Sequence, residues 1–229
     1  KYVPGNPFEH VFRDYYSAVD SKIGELIAIA GDSVSTIVVS DHGAKAMRGG
    51  LRVNQWLIDR GYLRLKETPA AGTRFEDCAV DWPNTRAWSS GGYYARVFLN
   101  VKDREPEGCV APSDYECTRD EIVAGISSIK GRNDGPLNNR VLKPEEIYLQ
   151  TNGIAPDLIV YPDDLNWRAI GTVGHDSIYA DENDTGPDDA NHDYNGIFIS
   201  SEKMVSPPRT ILDVAPGLLN RFGISRKSS

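Results

Sequence analysis

Asp41 and His42 stand side by side directly after the apolar run 36–39 and Ser40, and Gly43 follows them. A carboxylate and an imidazole at a strand end, with a glycine that frees the backbone to turn, can both face one divalent cation. The same four residues also read as an ordinary strand-end turn, with Asp41 capping the backbone and His42 packed. His192 lies four residues before Gly196, where another apolar run begins, and at the end of an acidic stretch. A lone histidine is equally at home as a structural or solvent-exposed residue. Two such positions on neighbouring strands, however, supply ligands to two cations. Cations about 4 Å apart can clamp the attacking and leaving oxygens of a phosphoryl transfer. His175 and Asp176 form a further pair, but no apolar run precedes them directly, and His10 sits at a helix start.

The elements that must position these residues follow from periodicity. Apolar residues at Val11, Tyr15, Val19, Ile23, Leu26, Ile27 and Ala30 predict a helix within 8–30, ended by Gly31-Asp32-Ser33. The β-branched run 36–39 lacks the alternation of a half-exposed strand and predicts one buried on both faces. A short amphipathic helix is expected over 51–60, a mixed and exposed stretch over 63–82, and a strand within 88–101 followed by a polar loop over 102–117. Helices are expected over 120–129, 144–148 and 210–222, and strands over 156–161 and 196–200. Residues 163–195 read as a long irregular loop, and 226–229 as a tail. Strands alternating with helices predict an α/β fold, a mostly parallel sheet sandwiched by helices.

Composition narrows the function. The chain has 229 residues with 25 Lys+Arg against 33 Asp+Glu, a net charge of -8. That balance argues against binding nucleic acid polymers through their backbones, and no apolar run approaches the roughly 18 residues of a membrane span. Cys78, Cys109 and Cys117 make no disulfide framework. Cys109 and Cys117 could pair across their loop, but free thiols in a reducing cytoplasm are the expectation.

Four motifs occur in a telling order: Ser40-Asp41-His42-Gly43, Ala155-Pro156-Asp157-Leu158-Ile159, the segment from His192 to Ile199, and Asp213-Val214-Ala215-Pro216. Together with Tyr15-Tyr16-Ser17-Ala18-Val19 in the first helix, they resemble the alkaline phosphatase superfamily, closest to its type I phosphodiesterase/nucleotide pyrophosphatase branch. Arg104-Glu105-Pro106-Glu107-Gly108 resembles a loop of related archaeal proteins, and its residues alone disclose no role. The resemblance implies an alkaline phosphatase-like core, present in part. It also implies two divalent cations, zinc first and manganese as an alternative, with Asp41 and His42 on one and His192 on the other.

In that superfamily a threonine or serine nucleophile and the remaining ligands lie upstream of the first helix. The resemblance therefore implies that residues 1–229 are a C-terminal portion with no internal boundary and no nucleophile of its own. Three ligands across two cations should hold metal weakly, since zinc takes four ligands per ion, and the fragment alone should be inactive. The full-length protein is expected to hydrolyse small, nucleotide-like phosphate esters through a covalent phospho-enzyme. Sulfatase, phosphomutase and phosphonate hydrolase activities share the same ligands. A pseudo-enzyme serving as a binding or oligomerisation unit is the rival from another class. A cytoplasmic location, no membrane partner and a homo-oligomer held by an apolar face complete the expectations. The acidic residues Asp181, Glu182, Asp184, Asp188 and Asp189 read either as a solvated loop or as a device that positions His192.

Overall fold

The computed structural model describes residues 3–184, 186, 188–203 and 207–224, so the tail expected at 226–229 lies outside the described residues. In chain order, helix α1 (Val11–Ala30) leads to strands β1 (Ile37–Val39), β2 (Gly43–Ala46) and β3 (Gly49–Arg52), then α2 (Val53–Asp59). Strands β4 (Thr73–Arg74), β5 (Ala87–Ser90) and β6 (Ala95–Leu99) precede α3 (Tyr115–Ser127), β7 (Arg140–Leu142) and α4 (Pro144–Ile147). There follow β8 (Leu158–Tyr161), β9 (Trp167–Ile170), β10 (Thr172–Val173), β11 (Tyr179–Ala180), β12 (Ala190–Asp193), β13 (Phe198–Ser200) and α5 (Ile211–Arg221). The chain forms two compact units, one of residues 1–44 with 193–229 and the other of residues 45–192.

The smaller unit holds α1, α5 and the antiparallel pair β1–β13, in which Ile37 faces Ser200 and Val39 faces Phe198. Gly31 ends α1, its N–H reaching the Ile27 carbonyl at a φ of 82°, a left-handed angle that favours glycine. Thr210 and Asp213 form a capping box that starts α5. Pro216 inside that helix has no N–H to donate to the carbonyl four residues before it. None of this unit's described residues is buried. Val39, expected inside, is 43% exposed, because a two-stranded ribbon has too little sheet to cover both faces.

The larger unit carries the hydrophobic core. Antiparallel strands in the order β5-β6-β8-β7 turn one face inward, with Ala95, Val97 and Leu99 buried while Arg96 between them is exposed. Helices α2 and α3 lie against that face with Val53, Trp56, Leu57, Ile122 and Ile126, completed by Leu51 and Ala169. Full burial of each such leucine or isoleucine contributes about 1.5–3 kcal/mol. Leu63 and Val80 are also buried, so the stretch expected to be exposed over 63–82 in fact supplies core residues.

The expected mostly parallel sheet sandwiched by helices is not what forms. Several small sheets share the chain, and the pairing of β3 with β9 is parallel, while β1–β13, β4–β10, β3–β11 and the four-stranded sheet are antiparallel. An unbroken apolar run tells that a strand is covered and leaves its neighbour's direction open. Loop length decides direction here: four residues join β5 to β6, and only an antiparallel hairpin closes over so short a span. Residues 163–195 are likewise no irregular loop, since they contain β9, β10, β11 and β12. Those strands are two to four residues long and lack an apolar run, which hides them from periodicity.

One buried carboxylate ties the larger unit together. Asp157 accepts hydrogen bonds from Arg104 Nη1 and Nη2, both at 2.7 Å, from the Leu99 N–H, and from the Tyr115 hydroxyl at 2.6 Å. Burial, reinforced by the adjacent Asp157, pushes the Tyr115 phenol up to about 12 from its ordinary 10. Deprotonation is therefore easier in the unfolded chain. The phenol's contribution to stability is complete below pH 10 and is lost as pH rises through about 12. Urea-unfolding midpoints across that range should fall for the native chain and fall less for Tyr115→Phe. Parallel decline in the two proteins would assign the loss to other groups.

Candidate metal-ligand residues

The Asp41 loop is built by a clamp within the smaller unit. Beyond β1, the Ser40 N–H donates to the Ile197 carbonyl at 3.0 Å and the Ser40 hydroxyl accepts from the Ile197 N–H at 2.8 Å. The chain approaches itself so closely that glycine is needed on both sides. A Cβ on Gly43 would lie 2.0 Å from the Asn195 carbonyl oxygen, and one on Gly196 would lie 2.3 Å from Ser40 Oγ. Gly43 thus faces a backbone carbonyl and Gly196 a side-chain hydroxyl, so the steric demand is the stricter at Gly43.

At the head of this loop Asp41 is largely exposed and its Oδ1 accepts the His42 N–H at 3.1 Å. The His42 ring places Nδ1 2.8 Å from the Gly43 carbonyl, so in the neutral ring Nδ1 carries the proton and Nε2 the lone pair. Nε2 then stands 3.6 Å from Asp41 Oδ1. Two donors each about 2.1 Å from a tetrahedral cation lie about 3.4 Å apart. The pair fits one shared cation with little adjustment. Beside it opens a cleft of about 370 Å³ within the same unit, whose charged residues are Asp41 and Arg209. The cleft also meets the start of α5, where Asp213 accepts the Arg209 and Thr210 N–H groups at 3.0 and 2.9 Å. Those N–H donors hold the Asp213 carboxyl below its ordinary value.

His192 belongs to the larger unit and is half-buried on β12. Its ring stacks on Tyr93, with centroids 3.6 Å apart and planes at 22°. Its N–H donates to the side chain of Asn191 at 2.9 Å, and Asn191 is buried with its amide on the Leu165 and Trp167 carbonyls. His175 lies elsewhere in that unit, Nε2 3.3 Å from Thr172 Oγ1, and burial, together with the positive Arg52, pushes its pKa down. Three of the acidic residues are tied to the protein. Asp184 accepts from the Gly171 and Thr172 N–H groups, Asp188 pairs with Arg168 at 2.9 Å, and Asp181 pairs with Arg132 at 3.1 Å. The Cys78, Cys109 and Cys117 thiols are free. Among the described residues no group of three or more His, Cys, Asp or Glu side chains is arranged to hold a metal ion. The structure therefore brings Asp41 and His42 together as one donor pair, and His192 stands as a single donor in the other unit.

A profile of the type I phosphodiesterase / nucleotide pyrophosphatase family matches residues 2–192. The chain belongs to this family. The match spans both Asp41-His42 and His192, and the family is one of phosphoric ester hydrolases with an alkaline phosphatase-like fold, generally dependent on metal. No curated protein and no solved structure matches the chain. Among the described residues no helix is long and apolar enough to cross a membrane.

Two residues beside His192 escape a motif search. Tyr93 follows a glycine pair, and Arg168 interrupts the otherwise apolar Trp167-Arg168-Ala169-Ile170. A single arginine inside a buried strand is the signal that could have found it, since such a charge requires a partner.

Proposed function

We propose that this chain supplies metal ligands to a hydrolase of small phosphate esters of the phosphodiesterase/nucleotide pyrophosphatase type. Asp41 and His42 hold one divalent cation, and His192 is a ligand of a second. Zinc is the first expectation for both, and manganese the alternative. The observation that carries this reading is the His42 ring turned by the Gly43 carbonyl so that Nε2 lies 3.6 Å from Asp41 Oδ1. Family membership over residues 2–192 supports it independently.

When bound, such cations polarise phosphoryl oxygens and lower the pKa of coordinated water. The chain's own part is to fix the donors. The Ser40–Ile197 clamp holds the turn, Asp41 presents a carboxylate, and His42 presents a neutral imidazole in a set tautomer. The hydrolysis we propose for the full-length protein runs in two steps. A protein hydroxyl oxygen bonds to phosphorus as the ester P–O bond breaks and the hydroxyl proton passes to the leaving alcohol. Water then displaces that oxygen, returning a proton to the hydroxyl, and releases a phosphate monoester from a diester or inorganic phosphate from a monoester. No residue of this chain is assigned as that nucleophile. Three ligands for two cations leave both incompletely held, so this chain by itself should bind zinc weakly and lack hydrolase activity.

A zinc titration of the 229-residue chain by calorimetry tests the ligand assignment. His42→Ala should weaken the tightest site by about tenfold or more, at least as much as loss of an outer partner typically costs. Unchanged affinity would remove Asp41 and His42 from the metal site. In the full-length protein, cleavage of bis-nitrophenyl phosphate should be abolished by a chelator, and activity that survives chelation would overturn the metal mechanism.

A further inference from the structure

We infer that Tyr93 is a positioning residue for His192, presenting the imidazole in a single orientation from a platform that Arg168 and Asp188 hold in place. The inference rests on the reading of His192 as a metal ligand and adds the means by which that ligand is aimed. The His192 ring lies 3.6 Å from the Tyr93 ring at 22°, too close for the imidazole to turn about its side-chain bonds without leaving the face. The Arg168 guanidinium carbon stands 4.4 Å from the centre of the same tyrosine ring. Arg168 is itself almost fully buried and is fixed by Asp188 at 2.9 Å and by the Ala190 carbonyl at 3.4 Å.

The strand that bears His192 is anchored by the same group of residues. Asn191 donates to the Tyr93 carbonyl at 3.2 Å as well as to Leu165 and Trp167, and it accepts the His192 N–H. Backbone and ring of His192 are thus both referred to Tyr93. Core packing does not explain the tyrosine, which is 36% exposed and gives its ring to an imidazole and a guanidinium. One carboxylate of the acidic stretch, Asp188, acts here on His192 through two intervening side chains.

The test uses the whole chain, with Co²⁺ as the probe, and the His192 ring proton shifts of the metal-free protein. In the native chain those protons should carry the upfield shift of a stacked ring. Tyr93→Phe keeps the flat face, so the shift and a Co²⁺ affinity within twofold of native should both persist. Tyr93→Leu removes the face while keeping apolar bulk. It should abolish the shift and weaken Co²⁺ binding about tenfold, the low end of outer-partner effects. If His192→Ala weakens binding but Tyr93→Leu does not, the positioning role is overturned and the ligand assignment stands. If His192→Ala leaves affinity unchanged, the ligand assignment fails and the inference fails with it. Should Tyr93→Leu fold poorly, Tyr93→Ile removes the flat face with another apolar side chain and carries the same expectation, and a Co²⁺ affinity within twofold of native there overturns the proposal.

Discussion

Asp157→Ala is expected to lower the stability of the larger unit by about 3–5 kcal/mol, the cost of removing one partner of a buried ion pair. The magnitude follows from what the carboxylate leaves behind. Asp157 is 3% exposed and receives four donors: two from Arg104, one from the Leu99 N–H and one from the Tyr115 hydroxyl. Without it, the backbone N–H of Leu99 and the phenol face a cavity, and each unsatisfied buried donor costs about 1–3 kcal/mol. Arg104 is 41% exposed and can recover part of its hydration, which keeps the total from growing further. Asp157→Asn should also be costly despite its matching shape, because its amide nitrogen would meet a donor where an acceptor stood. Urea unfolding followed by tryptophan fluorescence measures both. A loss below about 1 kcal/mol in the alanine variant would show that water replaces the carboxylate with little penalty, well under the range expected for breaking a buried pair.

This ion pair marks where the amino-acid sequence was informative and where it stopped. Arg104-Glu105-Pro106-Glu107-Gly108 and Ala155-Pro156-Asp157-Leu158-Ile159 both stand out as motifs, yet neither names the other as its partner. The bond joins positions 53 residues apart, and periodicity carries no information across such a distance. Elements with strong local signals were legible: α1 from its apolar spacing and terminal glycine, and β8 from Leu158-Ile159-Val160-Tyr161. Strands β9 to β12 were not, because their buried apolar residues Ala169, Ile170, Val173 and Ala180 are dispersed over strands of two to four residues, with the polar Arg168 and Asn191 among them. The β5–β6 hairpin falls within the single strand expected over 88–101, because Gly91-Gly92, which opens its four-residue turn, lies inside that segment. At the candidate site, adjacency in sequence delivered the Asp41–His42 pair. The direction of the His42 ring depends on a carbonyl, and the His192 stack on a tyrosine from another segment, so neither could be read in advance.

Gly43→Ala should disrupt the Asp41 loop at a cost of about 3 kcal/mol or more, at the upper end of overpacking effects. The added Cβ would sit 2.0 Å from the Asn195 carbonyl oxygen and 3.0 Å from its carbon, and a backbone group cannot swing aside as a flexible side chain can. The two segments must separate, which breaks the paired bonds between Ser40 and Ile197 and shifts both Asp41 and His42. No described residue of the smaller unit is buried, so little local stability is available to absorb the strain. Hydrogen exchange should therefore show protection lost at the Ser40 and Ile197 amides while the β5-β6-β8-β7 amides of the larger unit remain protected. Zinc affinity at the Asp41–His42 pair should fall with it by about tenfold, as for a lost outer partner. Gly24→Ala in the middle of α1 is the control, since nothing lies within 4 Å of its Cβ position. That change should stabilise the helix by about 0.8–1 kcal/mol. If Gly43→Ala retains both amide protection and zinc affinity, the close approach of residues 43 and 195 does not shape the turn, and the donor geometry must have another cause.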